Sequence, residues 1–284
     1  MQKRVLAIHD ISCLGRCSLT VALPIISAAG VEVAVMPTAV LSTHTGGFTG
    51  YTFRDLTDDM LPITDHWEKL GEQFDCIFSG YLGSYKQLDI MQSITDKFKT
   101  KNNILIVDPV MGDNGEIYSN LDKSFAKGFA ALCARADIIT PNLTEASLLT
   151  DIEYKSDGYD EKYIKNILDK LALTGAKRII LTGISFGDDN IGCAVFDNGN
   201  IDYIFTDKTD GMFHGSGDVF SSALTGAILN GASLKKAARI AADFTAEAIT
   251  RTKISKRDPI YGINFEEGLY DYSKKIKNLS TVCE

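Results

Sequence analysis

Ile104-Leu105-Ile106-Val107, the helix-period segment 121–134 and then Asp137-Ile138-Ile139 decide the architecture. A short run of branched apolar residues suits a strand buried on both faces, and a helical segment between two such runs suits a crossover to a parallel neighbour. The same alternation extends outward in both directions. Strand-like runs stand at 4–8, 31–36, 76–78 and 177–181, and further helix-period segments at 85–98 and 161–171. That order predicts an α/β fold with a largely parallel central sheet flanked by helices on both faces. Near residue 191 the rhythm changes: the alternating runs 191–196 and 201–205 flank Asp197-Asn198-Gly199-Asn200, the signature of an edge hairpin. Apolar helices at 218–229 and 234–249 and an amphipathic segment at 265–276 follow. With no low-complexity linker, internal repeat or composition break, residues 1–284 are expected to form a single domain.

The 284 residues are 45% hydrophobic and 23% charged, which excludes a disordered or fibrous chain. Lys and Arg number 29 against 37 Asp and Glu, a net charge of -8, so the average surface has no means of neutralising a nucleic-acid backbone. After Met1-Gln2-Lys3-Arg4 the apolar run lasts only over 5–8, and the weakly polar stretch 17–31 contains Pro24. That stretch is shorter than the ~20 residues that span a bilayer, so no membrane partner and a cytoplasmic location are expected. The six cysteines form no CxxC pair and read as reduced, buried thiols; the four histidines form no HExxH set and supply no zinc site.

Ligands of open parallel sheets bind beyond the carboxyl ends of the strands. Five segments in such places are polar or rich in glycine: His9-Asp10-Ile11-Ser12, Ser42-Thr43-His44-Thr45-Gly46-Gly47, Ser79-Gly80-Tyr81-Leu82-Gly83-Ser84, Asp108-Pro109-Val110-Met111-Gly112-Asp113 and Thr140-Pro141-Asn142. Together they predict a site. The most informative stretch is Gly211-Met212-Phe213-His214-Gly215-Ser216-Gly217-Asp218, a glycine-rich turn opening into an apolar helix from Val219. Glycines admit a ligand close to the backbone, and the first amides of a helix attract anions, so a phosphate suits this turn. The competing interpretation is a plain loop in which Asp218 only complements the helix dipole.

Neither GxxxxGK[ST] nor a GxGxxG after a strand occurs, which removes P-loop enzymes and dinucleotide dehydrogenases. Gly215-Ser216-Gly217-Asp218, the 108–113 segment and Thr140-Pro141-Asn142-Leu143-Thr144-Glu145-Ala146 instead resemble the ribokinase superfamily. Within it, segments 79–84, 108–113 and 42–46 make the chain most similar to the pyridoxal kinases. The resemblance implies transfer of the γ-phosphoryl of ATP to the 5'-hydroxymethyl group of a B6 vitamer. It implies Asp218 as the base and the amides of Gly215, Ser216 and Gly217 as the anion hole. It also implies Asp10, Ser12, His44, Thr45, Gly46 and Tyr81 around the vitamer, and Asp108, Thr140, Asn142, Glu145 and Thr182 on the nucleotide side. Glu145 and Asp108 are the implied magnesium side; Mg2+ with ATP, a monovalent cation such as K+, and a homodimer complete the expectation.

Two features depart from that family. Asp10-Ile11-Ser12, with Asp10 where a ring-contacting serine is usual, and His214 before the glycines are similar to hydroxymethylpyrimidine kinases, which commonly carry cysteine at the place of Asp218. A hydroxymethylpyrimidine kinase is therefore the first alternative, then a sugar kinase of the same superfamily, then a non-catalytic vitamer-binding protein. Asp10 has its own chemistry: a carboxylate in a ring pocket pairs with the primary ammonium of pyridoxamine. The alternative is that Asp10 caps a helix or faces solvent, and for Asn142 and Glu145 that they cap the helix after Pro141. With no inserted lid after the first strand, the glycine-containing segment 43–51 is the expected cover.

Overall fold

Eleven strands and nine α-helices succeed one another in a computed structural model that describes residues 2–280. Contacts divide the chain into two compact units, Met1–Cys76 with Thr209–Glu284, and Ile77–Lys208.

The first unit opens with β1 (Arg4–Leu14), α1 (Leu19–Ala28), β2 (Glu32–Thr43), β3 (Phe53–Asp55) and α2 (Thr57–Leu70). β1 runs parallel to β2, from Arg4 opposite Glu32 onward, and β3 adds antiparallel to β2. Val5, Leu6, Ala7 and Ile8 are wholly buried, as a strand covered on both faces requires. The strand does not stop there. His9-Asp10-Ile11-Ser12, expected as a loop, stays in β1, and the register slips between His9 and Ile11. A slip of this kind inserts an extra residue and re-aims the side chain there, so polar residues can continue a strand. α1 was not legible in the sequence because Pro24 lies inside it; Val21, Ala22, Ile25 and Ile26 bury its apolar face nonetheless.

In the second unit come β4 (Cys76–Ser79), α3 (Tyr85–Phe98), β5 (Ile104–Val107), β6 (Gly112–Asp113), β7 (Glu116–Ile117), α4 (Phe125–Cys133), β8 (Ile138–Ile139), α5 (Leu143–Thr150), α6 (Glu161–Leu173), β9 (Arg178–Ile184), β10 (Asn190–Asp197) and β11 (Asn200–Asp207). Its sheet order is β11-β10-β9-β8-β5-β4, parallel from β5 through β9 and antiparallel at the β9-β10-β11 edge. The expected hairpin is there, and Asn198 (φ 49) with Gly199 (φ 95) forms its turn. Two consecutive positive φ values are those of the type I′ turn, which Asn-Gly favours. α4 starts four residues later than the expected 121, after Asp122 gathers the Ser124 and Phe125 amides.

The chain then returns to the first unit with α7 (Ser216–Leu229), α8 (Leu234–Ser255), 3-10 turns at Pro259–Tyr261 and Glu266–Gly268, and α9 (Leu269–Ser280). α7 is buried along most of its length and packs on α1 and α8. The class is therefore α/β, with mostly parallel strands flanked by helices and an antiparallel hairpin. No helix among the described residues is long and apolar enough to cross a membrane. Of the cysteines, Cys76, Cys133 and Cys193 are buried as expected, whereas Cys13 is exposed at the outer end of β1 and Cys17 is half-buried. Cys283 lies outside the described residues.

Candidate active site

α7 begins at Ser216 rather than Val219, so Ser216, Gly217 and Asp218 are its first three residues and their amides have no partner inside the helix. Gly215 precedes them at φ 74, and a Cβ on it would stand 2.1 Å from the Arg16 carbonyl oxygen. Only glycine lets the two backbones approach this closely. The turn thus presents a row of amides with the half-buried Asp218 carboxyl among them. Burial pushes the Asp218 pKa up to about 6; the Ser18 amide and the Cys17 thiol oppose the rise, and the charge of Asp10 adds to it.

Asp10 is 5% exposed, so it does not face solvent, and it lies inside β1 while Ser18 occupies the N-cap of α1, so it is not the helix cap. Burial is the main cause raising its pKa, while hydroxyl donors on Ser18 and Ser12, the latter at 3.4 Å, favour the ionised form. Asp10 and Asp218, far apart in sequence, therefore lie near one corner of chain, residues 17 and 18, and the charge of Asp10 acts on Asp218. That corner was missed in the sequence; its only signal was a serine directly before an apolar run.

In the segment after β2, His44 Nε2 lies 2.6 Å from the Ile260 carbonyl, and its Nδ1 accepts from the Gly46 amide at 3.2 Å. A carbonyl can only accept and an amide only donate, so the Nε2 edge of the ring presents a proton to Ile260 and the Nδ1 edge faces the Gly46 amide. The His214 ring stands 5.2 Å from that of His44, and a Cβ on Gly46 would meet His214 at 2.9 Å. Phe48 packs edge-on against both His44 and Tyr261. Thr45 is exposed beside them.

The second unit carries a separate set. Asn142 and Glu145 form a capping box at the start of α5: Asn142 Oδ1 accepts from the Glu145 amide at 2.9 Å and Glu145 Oε2 from the Asn142 amide at 2.8 Å. The capping alternative is thus met in full, yet it does not exhaust these side chains. Glu145 Oε1 accepts from the Met111 amide at 3.2 Å, and Asn142 Nδ2 donates to the Gly112 carbonyl at 3.0 Å, so both hold the 108–113 segment. Glu145 is 3% exposed, and burial, then the charge of Asp108, raises its pKa well above the carboxylate range. Thr182 donates its amide to the Pro141 carbonyl at 2.9 Å, which fixes the turn that carries Asn142.

Asp108 follows β5 and donates its amide to the Ser79 carbonyl at the end of β4. The hydroxyls of Ser79 and Thr140 are buried without a hydrogen-bond partner among the described residues. Among those residues no group of three or more His, Cys, Asp and Glu is gathered as a metal cage. Tyr81 takes the packing role: its hydroxyl accepts from Asn120 at 2.5 Å and its ring faces Tyr118 at 6.5 Å.

Known proteins share this fold. A Bacteroides thetaiotaomicron protein solved in a crystal form with pyridoxal is 37% identical, covers 96% of each chain and superposes with a TM-score of 0.90. Pyridoxal kinase from Lactobacillus plantarum is 29% identical over 98% of this chain and 99% of its own, with a TM-score of 0.89. A pyridoxal kinase of Dictyostelium discoideum is 29% identical over 80% of this chain and 78% of its own. The phosphomethylpyrimidine kinase family matches residues 26–260, well over half of the sequence, and the chain belongs to that family.

Proposed function

We propose that the protein is a pyridoxal kinase that transfers the γ-phosphoryl of ATP to the 5'-hydroxymethyl group of a B6 vitamer, residues 1–284 acting as one kinase domain. The observation that carries the proposal is the start of α7, where Asp218, with its pKa raised to about 6, stands beside the amides of Ser216 and Gly217. A base whose pKa lies near the working pH accepts a hydroxyl proton well, and unpaired amides hold the charge of the transferring group. Phosphoryl transfer asks for little more than positioning and charge stabilisation. A non-catalytic binding protein would have no use for both.

The vitamer side comprises Asp10, Ser12, His44, Thr45 and Gly46, with Tyr81 in a supporting role. Asp108, Thr140, Asn142, Glu145 and Thr182 serve ATP. The buried carboxylates of Glu145 and Asp108, which raise the energy of ionisation at Glu145, and the orphaned Thr140 hydroxyl suit a hard cation. Mg2+ takes few carboxylates and keeps waters and phosphates as its other ligands, so Glu145 and Asp108 are the residues that would hold it. Bound there, it would neutralise phosphate charge. A monovalent cation such as K+ belongs to the proposal on the family resemblance alone. Cytoplasmic residence and a homodimer belong to the same proposal and rest on the family resemblance.

A hydroxymethylpyrimidine kinase is the second reading, favoured by the matching family and by His214 next to His44. Asp218 in place of cysteine and the relatives named as pyridoxal kinases weigh against it. ADP release with pyridoxal, pyridoxamine, pyridoxine, hydroxymethylpyrimidine and ribose, each with magnesium-ATP, decides between them. The B6 compounds should give the highest kcat/KM. Turnover with hydroxymethylpyrimidine alone would overturn the assignment.

A further inference from the structure

The segment between β2 and β3 is closed at its base, where the Ser42 amide donates to the Thr52 carbonyl at 3.2 Å and the Thr52 amide to Ser42 Oγ at 2.9 Å. Beyond that base Thr45, Gly47, Thr49, Gly50 and Tyr51 are exposed, but His44 is only 6% exposed. Both nitrogens of its ring are engaged within the chain: Nε2 donates to the Ile260 carbonyl at 2.6 Å, and Nδ1 accepts from the Gly46 amide at 3.2 Å. Gly15 leaves room for the ring, since a Cβ there would lie 3.2 Å from His44 Cδ2. A histidine that uses both nitrogens in this way has neither left to read a pyridine ring.

The turn that receives His44 is itself held on several sides. In the 3-10 turn at Pro259–Tyr261 the Ile260 amide donates to Asp258 Oδ1 at 3.0 Å, and the Gly262 amide donates to the Pro259 carbonyl at 3.0 Å. The Arg16 amide donates to the Tyr261 carbonyl at 2.9 Å, and Arg16 Nε pairs with Glu266 at 2.7 Å. A Cβ on Gly262, at φ 83, would stand 2.5 Å from the Arg16 carbonyl oxygen, the same oxygen that Gly215 abuts before α7. One carbonyl thus lies against both the turn that receives His44 and the glycine that opens the row of amides. Segment and turn meet a second time where Phe48 packs edge-on against Tyr261, ring centres 5.4 Å apart. His214, directly before Gly215, stands 5.2 Å from the His44 ring.

Resting on the kinase reading above, we propose that His44 is a positioning residue, whose hydrogen bond to the Ile260 carbonyl seats the 43–51 segment on the Pro259–Tyr261 turn as a cover beside the start of α7. The ring makes no hydrogen bond to the vitamer. A seated cover keeps water from the transferring phosphoryl group, so its release diverts ATP to hydrolysis. In that side reaction water replaces the hydroxymethyl group as acceptor, the bond from the γ-phosphorus to the bridging oxygen breaks, and ADP, inorganic phosphate and a proton leave.

Two substitutions separate seating from packing, because they rank oppositely under the two roles. His44→Leu keeps an apolar body beside Phe48 and loses the donor; His44→Gln keeps an N–H donor and buries a polar amide. Packing alone makes His44→Gln the harmful change, and seating makes it His44→Leu. Tyr261→Leu removes the ring that holds Phe48 from the other side and leaves His44 in place.

The first measurement is chymotryptic cleavage after Phe48, located by fragment mass, in protein free of ATP and vitamer, with thermal denaturation of each variant. Cleavage there requires the Phe48 ring to leave its place against His44 and Tyr261, and its rate follows the population of the released segment. Loss of one net hydrogen bond should raise that rate about two- to ten-fold in His44→Leu, with His44→Gln near the parent and Tyr261→Leu also raised. The second is ADP released per vitamer phosphorylated at saturating magnesium-ATP, which should at least double in His44→Leu and Tyr261→Leu and stay near the parent's in His44→Gln. A histidine that only touches the vitamer would leave cleavage of the free protein unchanged. Unchanged cleavage in His44→Leu, or faster cleavage in His44→Gln than in His44→Leu, would overturn the proposal. If His44→Leu does not fold, unchanged cleavage and ADP ratio in Tyr261→Leu would overturn it. A parent that phosphorylates no B6 vitamer would overturn the kinase reading instead, while the cleavage assay, run without ligands, still decides the seat of His44.

Discussion

Asp10 and Asp218 show what a sequence can and cannot tell about single residues. Both were legible as candidates, Asp218 from its place at the opening of an apolar helix and Asp10 from its place after an apolar run. Their proximity was not, because it depends on the turn at Ser18, and nothing in a serine before a helix announces a left-handed backbone. The like charge of Asp10 raises the Asp218 pKa, so Asp10→Asn should lower it and move the acid limb of kcat to lower pH. The same change should weaken pyridoxamine more than pyridoxine, by about ten- to a hundred-fold in kcat/KM, since only the amine offers a charge-assisted hydrogen bond. Profiles of both vitamers in parent and variant check the two effects together. An unmoved limb would dissociate the carboxylates, and equal losses would remove the amine-reading role.

Elements with uninterrupted periodicity were read correctly. α3 spans Tyr85–Phe98 and β5 spans Ile104–Val107, the stretches marked out by pattern alone. α1 was hidden by Pro24, and β1 was cut short because His9, Asp10 and Ser12 look like loop residues unless the slip in register is known. Burial by neighbours overrode local preference in both. Gly215 ties an element to the chemistry most tightly. Alanine there must adopt φ 74, which costs about 1–2 kcal/mol, and its Cβ would overlap the Arg16 carbonyl at 2.1 Å. Gly215→Ala should therefore lower the melting temperature and reduce kcat at least ten-fold by displacing the loop at 16–18. Gly217 has open space around its Cβ, so Gly217→Ala should be far milder. Equal behaviour of the two variants, measured by thermal denaturation and initial rates, would contradict this account of the turn.

At the scale of the whole molecule, the candidate residues sort by unit. The first unit holds Asp218, the amides of Ser216 and Gly217, and Asp10, Ser12, His44, Thr45 and Gly46; the second holds Tyr81, Asp108, Thr140, Asn142, Glu145 and Thr182. Alternation of strand and helix made the α/β class legible; of the five polar segments expected after strands, 9–12 lies inside β1 instead. The division of the chain was not legible, because contacts that cluster residues 1–76 with 209–284 leave no mark in composition. The division has a kinetic consequence: damage to the base should leave nucleotide affinity in place.

Asp218→Asn tests that consequence and the central claim at once. The substitution keeps shape and a hydrogen-bonding oxygen but cannot accept a proton, and a positioned base contributes about 10²–10⁴-fold to a rate. At saturating vitamer and magnesium-ATP, kcat of the folded variant should fall at least a hundred-fold while its affinity for ATP stays near the parent's. A folded Asp218→Asn protein whose kcat remains within a few-fold of the parent would contradict the account.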